Sequence, residues 1–296
     1  DMRLGVLSQP QHPALTDILD RLRTSADKIG AELVLTADLL AEAGGDGVPL
    51  EDDVGELDFL LTLGGDGTLL RGARFAGPRD VPVVGCNLGK LGFLTAVRID
   101  QLEDLMCRLR DGDYEEERRL ALQVGLHPAE GGVGTAAAEP SETFYALNDA
   151  VVHKGGFARL ISMRVWVNDE EIGQYSADGI VLATATGSTA YSLSAGGPIL
   201  FPTLGALVAT PICPHTMSIR PVVVPADATI SVEILSRMDG ILVTVDGQSG
   251  GRLGGGGRVS AQRSPHPVRL IRMPDQNFFS VLRQKMRWGD VRPDAD

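Results

Sequence analysis

The sequence predicts an α/β N-terminal domain with a parallel sheet and a C-terminal antiparallel β-sandwich domain, α+β overall. Three observations predict this. Through the first third, apolar strand-like runs alternate with amphipathic helical runs, the rhythm of parallel strands joined by crossover helices. Past Gly112, short strand-like runs follow one another with few helices between them, as in a sandwich. Finally, 296 residues, 43% of them hydrophobic and 22% charged, are enough for two modest domains with ordinary cores and no covalent staples.

The elements follow in order. Leu4 to Leu7 is a short apolar strand ended by the turn Ser8-Gln9-Pro10. Leu15, Ile18, Leu19, Leu22, Ala26 and Ile29 recur at helical spacing and predict the first helix. Leu33 to Leu35 is a second strand, and Leu57 to Leu63 a third, apolar enough to be covered on both faces. A helix from Thr68 to Ala76 is stopped by Gly77-Pro78, and Val81 to Val84 is the next strand. Ile99, Leu102, Leu105, Met106 and Leu109 mark an amphipathic helix that stops at Gly112. Strands are then expected at Leu120 to Val124, Tyr145 to Val152, Met163 to Val167 and Ile172 to Ser176, the last two flanking the hairpin turn Asn168-Asp169. Further strands fall at Ile180 to Ala183, Val222 to Val224, Ile230 to Ile234, Ile241 to Val245 and Val268 to Ile271. Pro128 to Glu142 is a long hairpin loop, Gly254 to Gly257 a loose turn, and Phe278 to Met286 a last helical face.

Composition excludes some functions. A formal charge of −12 argues against a broad nucleic-acid or anionic-membrane surface, although small phosphorylated ligands need no net positive charge. Cys86, Cys107 and Cys213 are too scattered for a disulfide framework or a zinc site and read as buried free thiols. The five histidines show no ligand spacing, and no run approaches the ~20 apolar residues of a membrane helix. The expected location is cytoplasmic.

Chemistry concentrates in Gly64-Gly65-Asp66-Gly67-Thr68, between the strand ending at Leu63 and the following helix. Glycines at a strand-to-helix turn let backbone approach a ligand closely, and the helix N-terminus offers open N–H groups to a phosphate. A carboxylate there repels phosphate unless it binds a metal or takes a proton from a nucleophile, which makes Asp66 the candidate base. The plainer alternative is a turn residue capping the helix. Gly44-Gly45-Asp46-Gly47 repeats the tetrapeptide without a strand before it or a helix after it, and is expected to be a surface loop. No P-loop motif occurs, and Gly132-x-Gly134-x-x-Ala137 follows no strand.

Two more segments are polar where a sandwich does not need them. Leu147-Asn148-Asp149-Ala150 sets an amide beside a carboxylate. Asp178-Gly179 and the run from Thr184 to Pro198 crowd small, hydroxyl and glycine residues around Tyr191, which suits a pocket with an aromatic face for a base. The alternative is a Ser/Thr-rich turn.

Taken together, the Gly-Gly-Asp-Gly-Thr loop, the Asn148-Asp149 pair and the Thr-Gly-Ser-Thr-Ala-Tyr-Ser-Leu-Ser-Ala-Gly-Gly-Pro run resemble the NAD kinase family, in family order and over nearly the whole chain. Asn87-Leu88-Gly89-Lys90-Leu91-Gly92-Phe93-Leu94 is similar to a fourth motif, and Phe278 to Gly289 to the family's closing helix. The resemblance implies NAD and ATP or polyphosphate as substrates, a divalent metal such as Mg2+ held largely by phosphate and water oxygens, and a homodimer or homotetramer. It implies transfer of the terminal phosphoryl group to the 2′-hydroxyl of the adenosine ribose, with Asp66 as proton acceptor. Gly67, Arg71, Asn148, Asp149, Arg159, Asp178, Thr189, Ala190, Tyr191, Ser192, Leu193 and Ser194 match NAD-contacting positions; Gly64, Gly65, Thr68 and Asn87 complete the expected nucleotide-binding set. The expected division is 1–98 as the α/β domain, 99–273 as the all-β domain carrying the NAD pocket, and 274–296 as a helix returning to the first. Ala185 stands where many members have Pro, Asp149 is one methylene shorter than the common Glu, and the loop after Pro128 is long. The other readings are a kinase of lipid or sugar sharing the loop, or a dinucleotide-binding sensor without turnover.

Overall fold

The computed structural model of the chain describes residues 2–9, 12–43, 47–53, 55–89, 92–129, 139–155, 160–216, 218–236, 240–274 and 277–286. Gly44 to Asp46 of the repeated tetrapeptide, Arg159, Gly132 to Ala137 and Trp288-Gly289 lie outside them. The chain divides into two compact units, Asp1–Arg118 with Val268–Asp296, and Arg119–Pro267.

In the first unit β1 (Met2–Ser8), α1 (Leu15–Ile29), β2 (Ala31–Leu35), α2 (Ala37–Ala43), β3 (Phe59–Leu63), α3 (Asp66–Ala76), β4 (Val83–Asn87), β5 (Val97–Arg98), α4 (Leu102–Asp111) and β6 (Glu115–Arg119) follow in turn. Strand β3 pairs parallel with β1 and β4, and β1 parallel with β2. All five residues of β3 are buried because both its faces are covered. Leu61 and Leu63 join a core with Leu15, Leu19, Leu22, Leu102, Leu105 and Met106 from α1 and α4. On the other face Gly72 of α3 meets Thr62, where a Cβ would come within 2.5 Å of the threonine Cγ2. Both α1 and α4 end on a left-handed glycine, Gly30 at φ 70° and Gly112 at φ 72°, the usual backbone stop.

The second unit holds β7 (Leu122–His127), β8 (Glu142–Ala146), β9 (Asp149–Lys154), β10 (Ile161–Val167), β11 (Glu170–Ala177), β12 (Gly179–Thr184), the short helix α5 (Tyr191–Ser194), β13 (Ala206–Ile212), β14 (Val222–Pro225), β15 (Ile230–Ile234), β16 (Ile241–Val245), β17 (Gln248–Leu253) and β18 (Arg258–Arg263). They form two six-stranded antiparallel sheets, β11-β10-β15-β18-β7-β8 and β14-β13-β12-β9-β16-β17. Inward residues of both sheets, among them Val124, Val152, Met163, Leu182, Val232 and Val243, share one core, so the unit is the expected sandwich. Strand β12 is buried throughout because its outer face, Val181 and Ala183, packs under Ala185 and Leu200 of the following segment.

The chain then returns to the first unit as β19 (Val268–Arg272) and α6 (Phe278–Met286). Strand β19 pairs parallel with β4, completing a seven-stranded sheet in the order β2-β1-β3-β4-β19-β6 with β5 beside β4. The boundaries expected at 98/99 and 273/274 therefore fall at 118/119 and 267/268. Helix α4 belongs with α1, to which Arg21 ties it through Glu103 at 2.8 Å, and β19 belongs to the parallel sheet.

Two further differences have local causes. The stretch Tyr145 to Val152 is not one strand: β8 lies in one sheet of the sandwich and β9 in the other, with Leu147-Asn148 as the corner between them. Of the three cysteines only Cys86 is buried, its thiol pushed up to about 12 by desolvation, whereas Cys107 and Cys213 are exposed.

Candidate functional site

In the first unit the candidate residues gather where β3 gives way to α3. Parallel pairing puts the carboxyl ends of β1, β3 and β4 on one edge of the sheet, the edge at which such folds bind ligands. Gly64 is bonded to β4 through its N–H and Cys86 O at 2.9 Å, and a Cβ on it would come within 2.7 Å of Thr68 Cβ, so the turn closes only around glycine. Gly65 is the N-cap and no side chain caps the helix, which leaves the first N–H groups of an eleven-residue helix available to an anion. Gly67 is exposed beside them.

Asp66 is the first residue of α3. Its carboxylate accepts two backbone bonds from the loop after β4, Phe93 N–H to Oδ2 at 2.9 Å and Leu94 N–H to Oδ1 at 3.1 Å. That loop is shaped by Asn87 and Thr95, both buried. Asn87 Oδ1 accepts Gly89 N–H at 2.7 Å, its Nδ2 donates to Thr95 Oγ1 at 3.2 Å, and Gly92 N–H donates to the same hydroxyl at 3.1 Å. Asn87 is 3% exposed and turned inward, so its side chain builds the loop that orients Asp66. Arg71, one turn along α3, donates to Ser8 O at 2.9 Å at the end of β1.

In the second unit the corner Leu147-Asn148 and the start of β9 are clamped from two directions. Thr184 N–H donates to Asn148 O at 2.9 Å, and Thr184 Oγ1 donates to Leu147 O at 2.6 Å while accepting Gly187 N–H at 3.0 Å. Gly187 sits so close that a Cβ would meet Asn148 Cα at 2.7 Å. From the other side the Asp246 carboxylate accepts N–H bonds from Leu147, Asn148 and Asp149. The backbone is fully engaged, yet Asn148 Oδ1 is buried without a hydrogen-bond partner. Asp149 is 4% exposed, and its carboxyl is pushed up to about 7, first by desolvation and then by the charge of Asp246.

The segment Thr186–Thr189 is a 3-10 turn that leads through Ala190 into α5. Thr189 Oγ1 donates to Thr186 O at 3.2 Å, and Arg119 reaches Thr186 Oγ1 at 3.3 Å. Ser192 is fully buried and its hydroxyl shares a 2.8 Å hydrogen bond with Thr210 of β13. Tyr191 is 46% exposed, Ser194 is exposed, and Leu193 is half-buried. Asp178 is placed elsewhere, at the opposite end of β12, roughly 20 Å of strand from Thr184. Its carboxylate pairs with Lys154 Nζ at 2.5 Å.

Within one chain, then, Asn148 and Asp149 are brought under the Thr184–Thr189 segment, and Asp178 is not. The residues that sequence patterns did not reveal are the supports Thr95, Thr210 and Asp246; Phe93, Leu94 and Thr184 lie in segments that the sequence singled out, but not for their supporting bonds. The Asp246-Gly247 dipeptide between two strands carries a hairpin signal, but nothing local announces where its carboxylate points.

Residues 50–114 match the model of the ATP-NAD kinase N-terminal domain and residues 147–273 that of the ATP-NAD kinase C-terminal domain. An NAD kinase of Gemmatimonas aurantiaca is 43% identical over 292 residues, spanning 98% of this chain and 97% of that protein. The crystal structure of yeast NADH kinase complexed with NADH shares the fold at a TM-score of 0.88 and 24% identity, covering 100% of this chain and 90% of that one. An NAD kinase from Archaeoglobus fulgidus in complex with ATP superposes at a TM-score of 0.71 and 25% identity, covering 97% and 99%. With both domain models matched in order and a relative of 43% identity along nearly its full length, the chain belongs to the NAD kinase family.

Proposed function

We propose that this protein transfers the terminal phosphoryl group of ATP, or of polyphosphate, to the 2′-hydroxyl of the adenosine ribose of NAD, giving NADP. The observation that supports this most is the position of Asp66, an oriented carboxylate on the first residue of α3 beside N–H groups that no side chain caps. Phosphates of the donor rest on Gly64, Gly65 and the helix N-terminus, with Thr68 beside them, while Gly67 and Arg71 contact NAD. Asp66 takes the proton of the ribose hydroxyl as its oxygen attacks the terminal phosphorus, and the shortened donor leaves.

In the second unit Asn148 and Asp149 contact the ribose and Tyr191 offers a face for stacking, with Thr189, Ala190, Leu193 and Ser194 lining the same segment and Arg159 assigned by position. Asp178 lies too far along β12 to join them within one chain. Its assigned contact with NAD is met by a second copy, in keeping with a homodimer or homotetramer. The enzyme is cytoplasmic; no helix among the described residues is long and apolar enough to cross a membrane. Among those residues no cluster of three or more His, Cys, Asp or Glu side chains stands ready for a resident ion. A divalent cation such as Mg2+ would come with the nucleotide substrate, where it neutralises phosphate charge.

The direct test is NADP formation from NAD with Mg–ATP or polyphosphate, run beside an NAD analogue lacking the 2′-hydroxyl. NADP should form from NAD, and the analogue should stay unphosphorylated. Absence of NADP with either donor overturns the proposal.

A further inference from the structure

Asp246 and Gly247 form the two-residue turn between β16 and β17, with Val245 opposite Gln248 and both turn residues left-handed at φ 48° and φ 73°. Such a turn favours Asn or Asp followed by Gly, so hairpin chemistry alone accounts for the residue type. It does not account for the direction of the side chain. Asp246 is 9% exposed and its carboxylate leaves its own hairpin to accept three consecutive backbone donors. Leu147 N–H bonds Oδ2 at 2.9 Å, and Asn148 and Asp149 N–H bond Oδ1 at 2.8 Å and 3.1 Å. Its own N–H returns a bond to Asp149 O at 2.9 Å.

The sandwich explains why an anion is needed there. At Leu147-Asn148 the chain leaves one sheet and enters the other, so the N–H groups of the corner have no strand partner, and buried donors must be satisfied. A carboxylate meets three at once through charge-assisted bonds. Once these bonds and those from Thr184 are made, Asn148 Oδ1 is left buried without a partner, next in sequence to the buried Asp149.

We propose that Asp246 is a positioning residue for the acceptor nucleotide: it fixes the corner so that the side chains of Asn148 and Asp149 face NAD. This rests on the NAD kinase activity proposed above. The charged and titratable groups around the corner are Asp246 from the β16–β17 turn, Tyr145 from β8, which the charge of Asp246 also influences, and Arg119, which reaches Thr186. Removing a negative neighbour lowers the pKa of a carboxylic acid.

The test is Asp246→Asn in the full chain, which keeps a favoured turn residue and the side-chain volume. Wild-type NADP formation is measured first, because its absence sinks the activity and leaves the role of Asp246 aside. Given activity, the variant should raise the KM for NAD, and the Kd for NAD by calorimetry, about tenfold or more, with the KM for ATP within about twofold. The acid limb of kcat/KM for NAD should move to lower pH. A loss shared by both substrates with the limb unmoved would show a merely structural aspartate and overturn the proposal. Asp149→Asn provides a second arm that does not depend on Asp246→Asn folding: it should remove the contribution of Asp149 and move the acid limb to lower pH, leaving the limb that the base Asp66 requires, and retention of the wild-type limb overturns the proposal equally.

Discussion

Gly92 has no side chain where Asp66 keeps its carboxylate: a Cβ built on Gly92 would overlap Asp66 Oδ1 and stand 2.5 Å from Cγ. The absence of one methyl group is therefore what lets the loop after β4 close on Asp66 through Phe93 and Leu94. Gly92→Ala should push the carboxylate out of line with little effect elsewhere. The expected outcome is a kcat lower by about 10²-fold, with a thermal melt near that of wild type. An unchanged kcat in a folded Gly92→Ala would show that the contact does not orient the base.

Asp66→Asn separates basicity from shape. Asparagine offers one acceptor oxygen where aspartate offers two, so one of the N–H groups of Phe93 and Leu94 would meet an NH2 group instead. Turnover should fall by about 10²-fold or more while NAD still binds. Asp46→Asn, in the other copy of the tetrapeptide, should leave turnover unchanged. Steady-state kinetics with NAD calorimetry on both variants decides between the loops, and a comparable loss at Asp46 would move the site.

Ser192 tests how far a motif may be carried onto a structure residue by residue. It falls within the run that matches NAD-contacting positions, yet its hydroxyl is spent on Thr210, and a Cβ at Gly197 would meet that threonine Oγ1 at 2.7 Å. Ser192→Ala should therefore cost stability, about 1 kcal/mol for the lost buried hydrogen bond, read as a lower Tm. The KM for NAD should change by less than about threefold. A large rise in KM with an unshifted Tm would return Ser192 to the ligand.

What could be read from sequence was what is local. The loop around Asp66 stood out because a five-residue apolar strand precedes it and a helix follows it directly, and both patterns fit in one short window. Strand β13 did not stand out. Thr210-Pro211 interrupts its apolar run and a Gly/Pro-rich stretch precedes it, although all seven of its residues are buried. The charged strand β6, Glu115–Arg119, carries no alternation of apolar residues, and its Glu116 is instead tied to Arg269 of β19 at 2.7 Å. The bonds that fix Asn148 and Asp149 come from a residue 98 and 97 positions away, a pairing that periodicity cannot register. Likewise the corner between β8 and β9 hides in sequence, because Leu147 continues the apolar run while the chain changes sheets.

Asp149 joins stability to function with opposite signs. Its carboxyl rises from an ordinary 3.8 to about 7, first through desolvation and then through Asp246. Between those values the folded chain keeps a proton that the unfolded chain has released. The stabilising contribution is thus complete below the lower value and is lost as pH rises through the upper one. Asp149→Asn cannot ionise, so the variant should be more stable than the ligand-free wild type by roughly 4 kcal/mol near pH 8, several degrees of Tm, with the difference closing by about pH 4. Its affinity for NAD should fall by about tenfold, since an amide replaces the group proposed to face the ribose. Melting curves of both proteins across this pH range, with and without NAD, test the two signs together. A constant stability difference across the range would mean that Asp149 does not titrate there, and tighter NAD binding by the variant would mean that its charge opposes the ligand.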